Sequence, residues 1–117
     1  MPDGKRPIDA APLRAVEFEI LLSLAGGERH GYGILLDIES RDALAVPDVG
    51  TMYRALARMV EQGLIAGSSR RPAPDADDER RNYYRITPAG LLAAKAEAKR
   101  LHVLTRAARS AGLLEKT

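Results

Sequence analysis

Between Gly50 and Arg58 the chain sets out side chains that could grip a polyanion: Gly50, Thr51, Tyr53, Arg54 and Arg58. Arginine presents a planar fork of donors that fits a guanine edge or a phosphate, and threonine and tyrosine each bring a hydroxyl. Interleaved with them, Val49, Met52, Leu56, Met59 and Val60 recur at three- and four-residue steps, the apolar stripe of a helix. A helix held from behind by a core and carrying donors in front suits a DNA groove. Thr51 falls in the first turn, where its hydroxyl and nearby backbone N–H groups can meet a phosphate, and Gly50 lets the backbone come close. Tyr53 can donate to a phosphate or lie on a thymine methyl. Arg54 suits a bidentate contact to guanine, and Arg58, one turn later, suits the DNA backbone. The competing reading is a solvated helix face with Tyr53 partly packed into the core.

A second set of cations, Arg70, Arg71, Arg80 and Arg81, flanks the acids Asp75, Asp77, Asp78 and Glu79. Four arginines at the base of a hairpin could clamp a minor groove or its phosphates. The acids could instead neutralise them, and an acidic tip should point away from a duplex. Charge is uneven along the chain. Residues 1–47 carry 5 basic and 8 acidic side chains, residues 48–87 carry 7 and 6, and residues 88–117 carry 6 and 2. Such a distribution points to a basic face despite a net charge of only +2.

The elements that must position these groups can be read from periodicity and punctuation. Residues 1–12, with three prolines, read as a flexible tail. Leu13, Val16, Ile20 and Leu24 keep helical spacing, with Phe18, Leu21 and Leu22 widening the stripe, which predicts burial against the domain and against a second subunit. Gly26-Gly27 ends that helix. A second runs from about Gly31 to Arg41 with Tyr32, Leu35, Leu36 and Ile38 facing inward. His30 before it reads as a helix cap, and Tyr32 as a core residue with its hydroxyl outward. After a turn from Ala43 to Pro47, Asp48 caps a third helix over about Val49 to Gln62, and Gly63 stops it. Leu64 to Ser69 and Asn82 to Thr87 read as strands joined through the arginine- and acid-rich linker. Thr87 and Pro88 then open a last helix, as cap and first helical residue. Its seam of Leu91, Ala94, Ala98, Leu101, Val103, Leu104 and Ala108 has no later element to pack on, so its expected partner is another copy of the chain. The expected architecture is mainly α with a small β-hairpin: a winged helix-turn-helix over residues 13–87, followed by a C-terminal dimerisation helix and short tail over 88–117.

Composition removes several function classes. The chain's 117 residues suit one domain. With no cysteine there are no disulfides, thiolate metal sites or cysteine nucleophiles. His30 and His102 lie far apart and neither sits in a metal-spaced cluster, so neither metal nor cofactor is expected. Ser23, Ser40 and Ser68 occupy no nucleophile turn, and no phosphate-binding glycine loop is present, which argues against an enzyme. No apolar run approaches a membrane span and no secretory core precedes Pro7, so the expected location is cytoplasmic, with no membrane partner.

Three segments together resemble the PadR family of transcriptional regulators. They are His30-Gly31-Tyr32-Gly33-Ile34, the run Gly50 to Ile65 with its Gly-Thr-Met-Tyr opening and Gly-Leu-Ile end, and Arg81-Asn82-Tyr83-Tyr84-Arg85-Ile86-Thr87-Pro88-Ala89-Gly90. Met52 and Met59 stand where that pattern more often has aliphatic residues, and the acidic wing tip is long. The resemblance spans roughly Leu13 to Leu104. It implies a homodimer on double-stranded operator DNA, usually a repressor; a small-molecule effector held between the first and last helices of the dimer is a compatible further partner. The dimer seam would comprise Leu13, Val16, Leu91, Ala94, Ala98, Leu101 and Leu104. A winged-helix protein-interaction module is the alternative, disfavoured by exposed arginines and by the absence of tryptophan.

Overall fold

The structure, a computed structural model, describes residues 12–41, 47–67 and 82–115. Four helices and three short strands follow in the order α1 (Ala15–Ala25), β1 (Arg29–His30), α2 (Gly31–Ser40), α3 (Val49–Glu61), β2 (Ile65–Gly67), β3 (Tyr83–Ile86) and α4 (Pro88–Ser110). The expected N-terminal tail up to Ala11, most of the 43–47 turn, and the wing tip with Arg70, Arg71, Arg80 and Arg81 lie outside the described residues. Among the described residues no helix is long and apolar enough to cross a membrane.

Side chains of α1, α2 and α3 meet in one core: Ile20, Leu21 and Leu24 from the first, Ile34 and Ile38 from the second, Met52, Ala55, Leu56 and Met59 from the third. Ile65 of β2 closes it, and Tyr84 and Ile86, which share one face of β3, pack alongside. Helices α2, α3 and α4 are set by local chemistry at their ends. His30 accepts the Gly33 N–H through Nδ1 at 2.8 Å, so the expected cap at α2 is present. Helix α3 stops where Gly63 takes φ +79° and lets Leu64 N–H reach back to the Met59 carbonyl at 3.0 Å. A non-glycine residue would strain there. The Thr87 hydroxyl oxygen accepts the Gly90 N–H at 3.0 Å with Pro88 at the first helical position, opening α4 as its sequence predicts.

Several expectations differ from what folds. The sheet has three strands, not two: β1 pairs antiparallel with β3, placing His30 opposite Tyr83, and β3 pairs on its other side with β2. Two residues are too few to produce an alternating pattern, so the sequence gives no sign of β1. On α2 Ile34 and Ile38 are buried and Leu35 packs half-buried against the same core, as expected for Leu35 and Ile38, whereas Tyr32 and Leu36 are exposed. The helix turns its 34/38 edge to the core, so 32 and 36 fall on the opposite side. Leu22, Val49 and Val60 are likewise exposed, because α1 and α3 each bury a narrower stripe than their apolar content would allow.

The first half of α4 lies against α1 and β3. Gly90, Ala93 and Glu97 are its buried positions, and Gly90 sits directly over the Leu64 carbonyl. Leu13, Val16 and Ala94 pack on the domain's own core. Beyond Glu97 the same helical edge continues through Leu101 and Leu104, which are exposed, 51% for Leu104.

Candidate nucleic-acid interface

Helix α3 begins with Asp48, whose Oδ1 accepts the Thr51 N–H at 2.7 Å. That backbone bond, with a further bond from the Thr51 side chain and the nearby Arg54 charge, holds the exposed Asp48 carboxyl below its ordinary value. Arg54 folds back along this first turn and its Nη2 donates to Thr51 Oγ1 at 3.3 Å. Gly50 makes room for it: a Cβ there would lie 3.1 Å from Arg54 Nη1. Gly50, Thr51 and Arg54 therefore form one contiguous surface at the start of α3, with Arg54 exposed and Thr51 half-buried. A guanidinium resting this loosely on a hydroxyl can swing out to a base edge or phosphate at small cost.

Tyr53 and Arg58 are placed differently. Tyr53 packs against the core and its hydroxyl oxygen is buried. Gly31, the first residue of α2, lies so close that a Cβ there would stand 2.6 Å from the Tyr53 hydroxyl. Tyr53, half-buried, thus sits between α3 and α2 with its hydroxyl inside. Arg58, half-buried, turns toward α1, where its Nε lies 3.5 Å from Glu17 Oε2. Among the described residues no cluster of histidine and carboxylate side chains could hold a metal ion.

Three polar groups that brace α1 against its neighbours are not singled out by the sequence. Glu17, 7% exposed, accepts the Arg14 N–H at 2.9 Å through Oε1 and faces Arg58 through Oε2. Its position three residues after the cap, Arg14, is the available signal. Glu97, 6% exposed, accepts the Leu13 N–H at 3.2 Å and is paired with Arg100. The Arg100 hydrogen bond, helped by the Leu13 N–H, keeps its carboxyl below the ordinary range. Arg41 ties the end of α2 to α1 by binding Glu19 at 2.8 Å and Asp37 at 2.7 Å and donating to Ser23 Oγ. The Ser23 hydroxyl, followed by the Arg29 and Arg41 charges, lowers Asp37 in turn.

Two successive helices packed on one core, the second capped and carrying exposed donors, followed by an antiparallel pair of strands, define the winged helix-turn-helix class. Comparison with known proteins sharpens that class. The family model described as "Transcriptional regulator PadR-like family" matches residues 20–96. The chain belongs to that family, whose members regulate transcription by binding DNA. Among solved structures, a transcriptional regulator from Clostridium thermocellum is 30% identical, with TM-score 0.66 over 81% of this chain and 87% of that one. RosR from H. salinarum is 26% identical, with TM-score 0.62 over 91% of this chain and 100% of that one. A PadR family transcription regulator from Clostridium difficile shares the fold at 23% identity, TM-score 0.67, over 83% of this chain and 97% of that one. No curated protein sequence matches the chain.

Proposed function

We propose that this chain is a cytoplasmic, non-enzymatic repressor that binds an inverted-repeat operator as a homodimer, each copy placing α3 in a major groove. The observation that carries this reading is the division of α3. Met52, Ala55, Leu56 and Met59 are buried beneath it, while Gly50, Thr51 and Arg54 make a single outward surface at its capped start. A helix supported along its underside and open at its N-terminal turn has the docking geometry of a recognition helix. In this assignment Arg54 reads a base edge and Thr51 meets a phosphate. The wing arginines Arg70, Arg71, Arg80 and Arg81 contribute phosphate or minor-groove contacts beside it.

The homodimer rests on α4. Its edge continues through Ala98, Leu101 and Leu104, which no other described residue buries, and an exposed leucine edge in line with a buried one favours self-association. Two copies joined this way would meet half-sites about one helical turn apart, 10–10.5 base pairs, or a multiple. A small-molecule effector completes the reading; it would enter between α1 and α4 of the paired copies and lower operator affinity.

Fluorescence anisotropy with DNA from the region upstream of the chain's own gene, over a salt series with competitor DNA, tests the proposal. Competitor-resistant binding with a steep salt slope is the expected result. Binding that competitor abolishes at every salt concentration would leave two readings: a missing effector or an operator elsewhere, or the protein-interaction module.

A further inference from the structure

One charged pair links the recognition helix to an element that does not face the groove. Arg58 on α3 reaches back to Glu17 on α1, a carboxylate that is almost wholly buried. Glu17 is itself fixed, because its Oε1 accepts the Arg14 N–H at 2.9 Å. The preceding residue, Leu13, gives its N–H to the buried Glu97 of α4. The first turn of α1 is thus pinned from two sides, and Glu17 has little freedom to move.

We infer that Glu17 is a positioning residue for DNA binding: it holds the Arg58 guanidinium by its Nε edge and leaves both Nη groups for a DNA phosphate. Among the described residues the Glu17 contact is the one hydrogen bond of the Arg58 side chain, and it uses Nε alone. The guanidinium is planar, so a carboxylate fixed on the Nε edge orients the opposite donors. At 3.5 Å, with Arg58 34% exposed, the pair is weak. Glu17 therefore directs Arg58 without withholding it from phosphate. Such pre-orientation removes part of the rotamer entropy a free arginine would lose on binding.

This inference rests on the DNA-binding reading, and one experiment separates the two. Affinity for a short fluorescein-labelled duplex of mixed sequence is measured across a salt series for the wild type, Glu17→Gln, Arg58→Ala and the double variant. Mixed sequence suffices because phosphate contacts do not depend on bases. Arg58→Ala is expected to weaken binding roughly tenfold, the scale of one hydrogen bond to a charged group, and to lower the salt slope by about one. Glu17→Gln, which keeps an acceptor for Arg14, should give roughly a three- to tenfold loss, part of that same bond. In the Arg58→Ala background the Glu17 substitution should change nothing further.

Three results overturn the inference while leaving DNA binding intact. They are tighter binding by Glu17→Gln, an equal loss from it in both backgrounds, and wild-type affinity in Arg58→Ala. Absence of binding by the wild type at low salt removes the DNA-binding reading and this inference with it. Arg58→Lys asks the same question without disturbing the buried carboxylate. Lysine keeps the charge but lacks the planar fork that Glu17 orients, so binding should fall between the wild-type and alanine levels with the salt slope retained, and wild-type affinity would refute the mechanism.

Discussion

Gly90→Ala should be among the most damaging single-methyl additions in this protein. The new Cβ would overlap the Leu64 carbonyl oxygen and stand 3.0 Å from Ile86 Cγ1. Neither neighbour can withdraw easily. The Leu64 carbonyl also accepts the Thr87 N–H at 3.2 Å and the Thr87 hydroxyl at 2.9 Å, and those bonds tie the base of the wing to the start of α4. Overpacking of this kind costs about 1–3 kcal/mol. Displacing α4 enough to relieve it loosens these bonds at about 1 kcal/mol each. Alanine's better helix propensity returns about 1 kcal/mol. The net is a loss of about 2–4 kcal/mol, or a fall in Tm of about 8–16 °C for a chain of this size. Far-UV circular dichroism during thermal unfolding, at fixed protein concentration, measures it. Gly67→Ala is the matched control, since a Cβ at Gly67 would meet nothing within 4 Å, and it should fall within about 0.5 kcal/mol of wild type. A Gly90→Ala variant as stable as that control would refute the packing argument.

Arg54→Ala should weaken operator binding more than binding to random duplex, by about 1–3 kcal/mol in anisotropy; equal losses would make Arg54 a phosphate contact. Leu101→Glu combined with Leu104→Glu should leave a folded monomer by sedimentation, because both side chains are exposed in the single chain; an unchanged dimer would move the interface off α4. Acid should destabilise the fold partly through Glu97. Its carboxyl is depressed below the ordinary value of 4.5, so the stability it contributes is present above that pH and is lost as pH falls through the lower folded value. Urea titrations should therefore show a shallower acid limb below about pH 4.5 in Glu97→Gln; a limb identical to wild type would mean that other carboxylates carry it.

Most of the scaffold was legible because the signals were local. Caps at Asp48, His30 and Thr87, the stop at Gly63 and the three- and four-residue spacing of Met52, Leu56 and Met59 each depend on neighbours within one helical turn. What escaped depends on neighbours distant in sequence. The strand at Arg29–His30 exists only because Tyr83 and Tyr84 come to pair with it. Tyr32 and Leu36 look apolar enough for the core, and only the docking angle of α2 decides that Ile34 and Ile38 occupy it. The same limit applied to the recognition surface. Spacing grouped Thr51, Tyr53, Arg54 and Arg58 together, but Tyr53 goes to Gly31 and Arg58 to Glu17, contacts fixed by helices that no periodicity relates.

The unequal lengths of α1 and α4 carry a mechanical implication. At about 1.5 Å per residue, the 23 residues of α4 extend about 34 Å, whereas the 11 residues of α1 on which it rests extend about 16 Å. The far end, beyond Glu97, the last buried position, is therefore an unsupported arm of about 13 residues, or about 20 Å. A bend of about 10° at Glu97 would sweep Ser110 through about 3.4 Å, one base-pair step. Were two copies joined through that end, small angular changes at that bend would be magnified into the distance between their recognition helices, and so into the half-site spacing they can span.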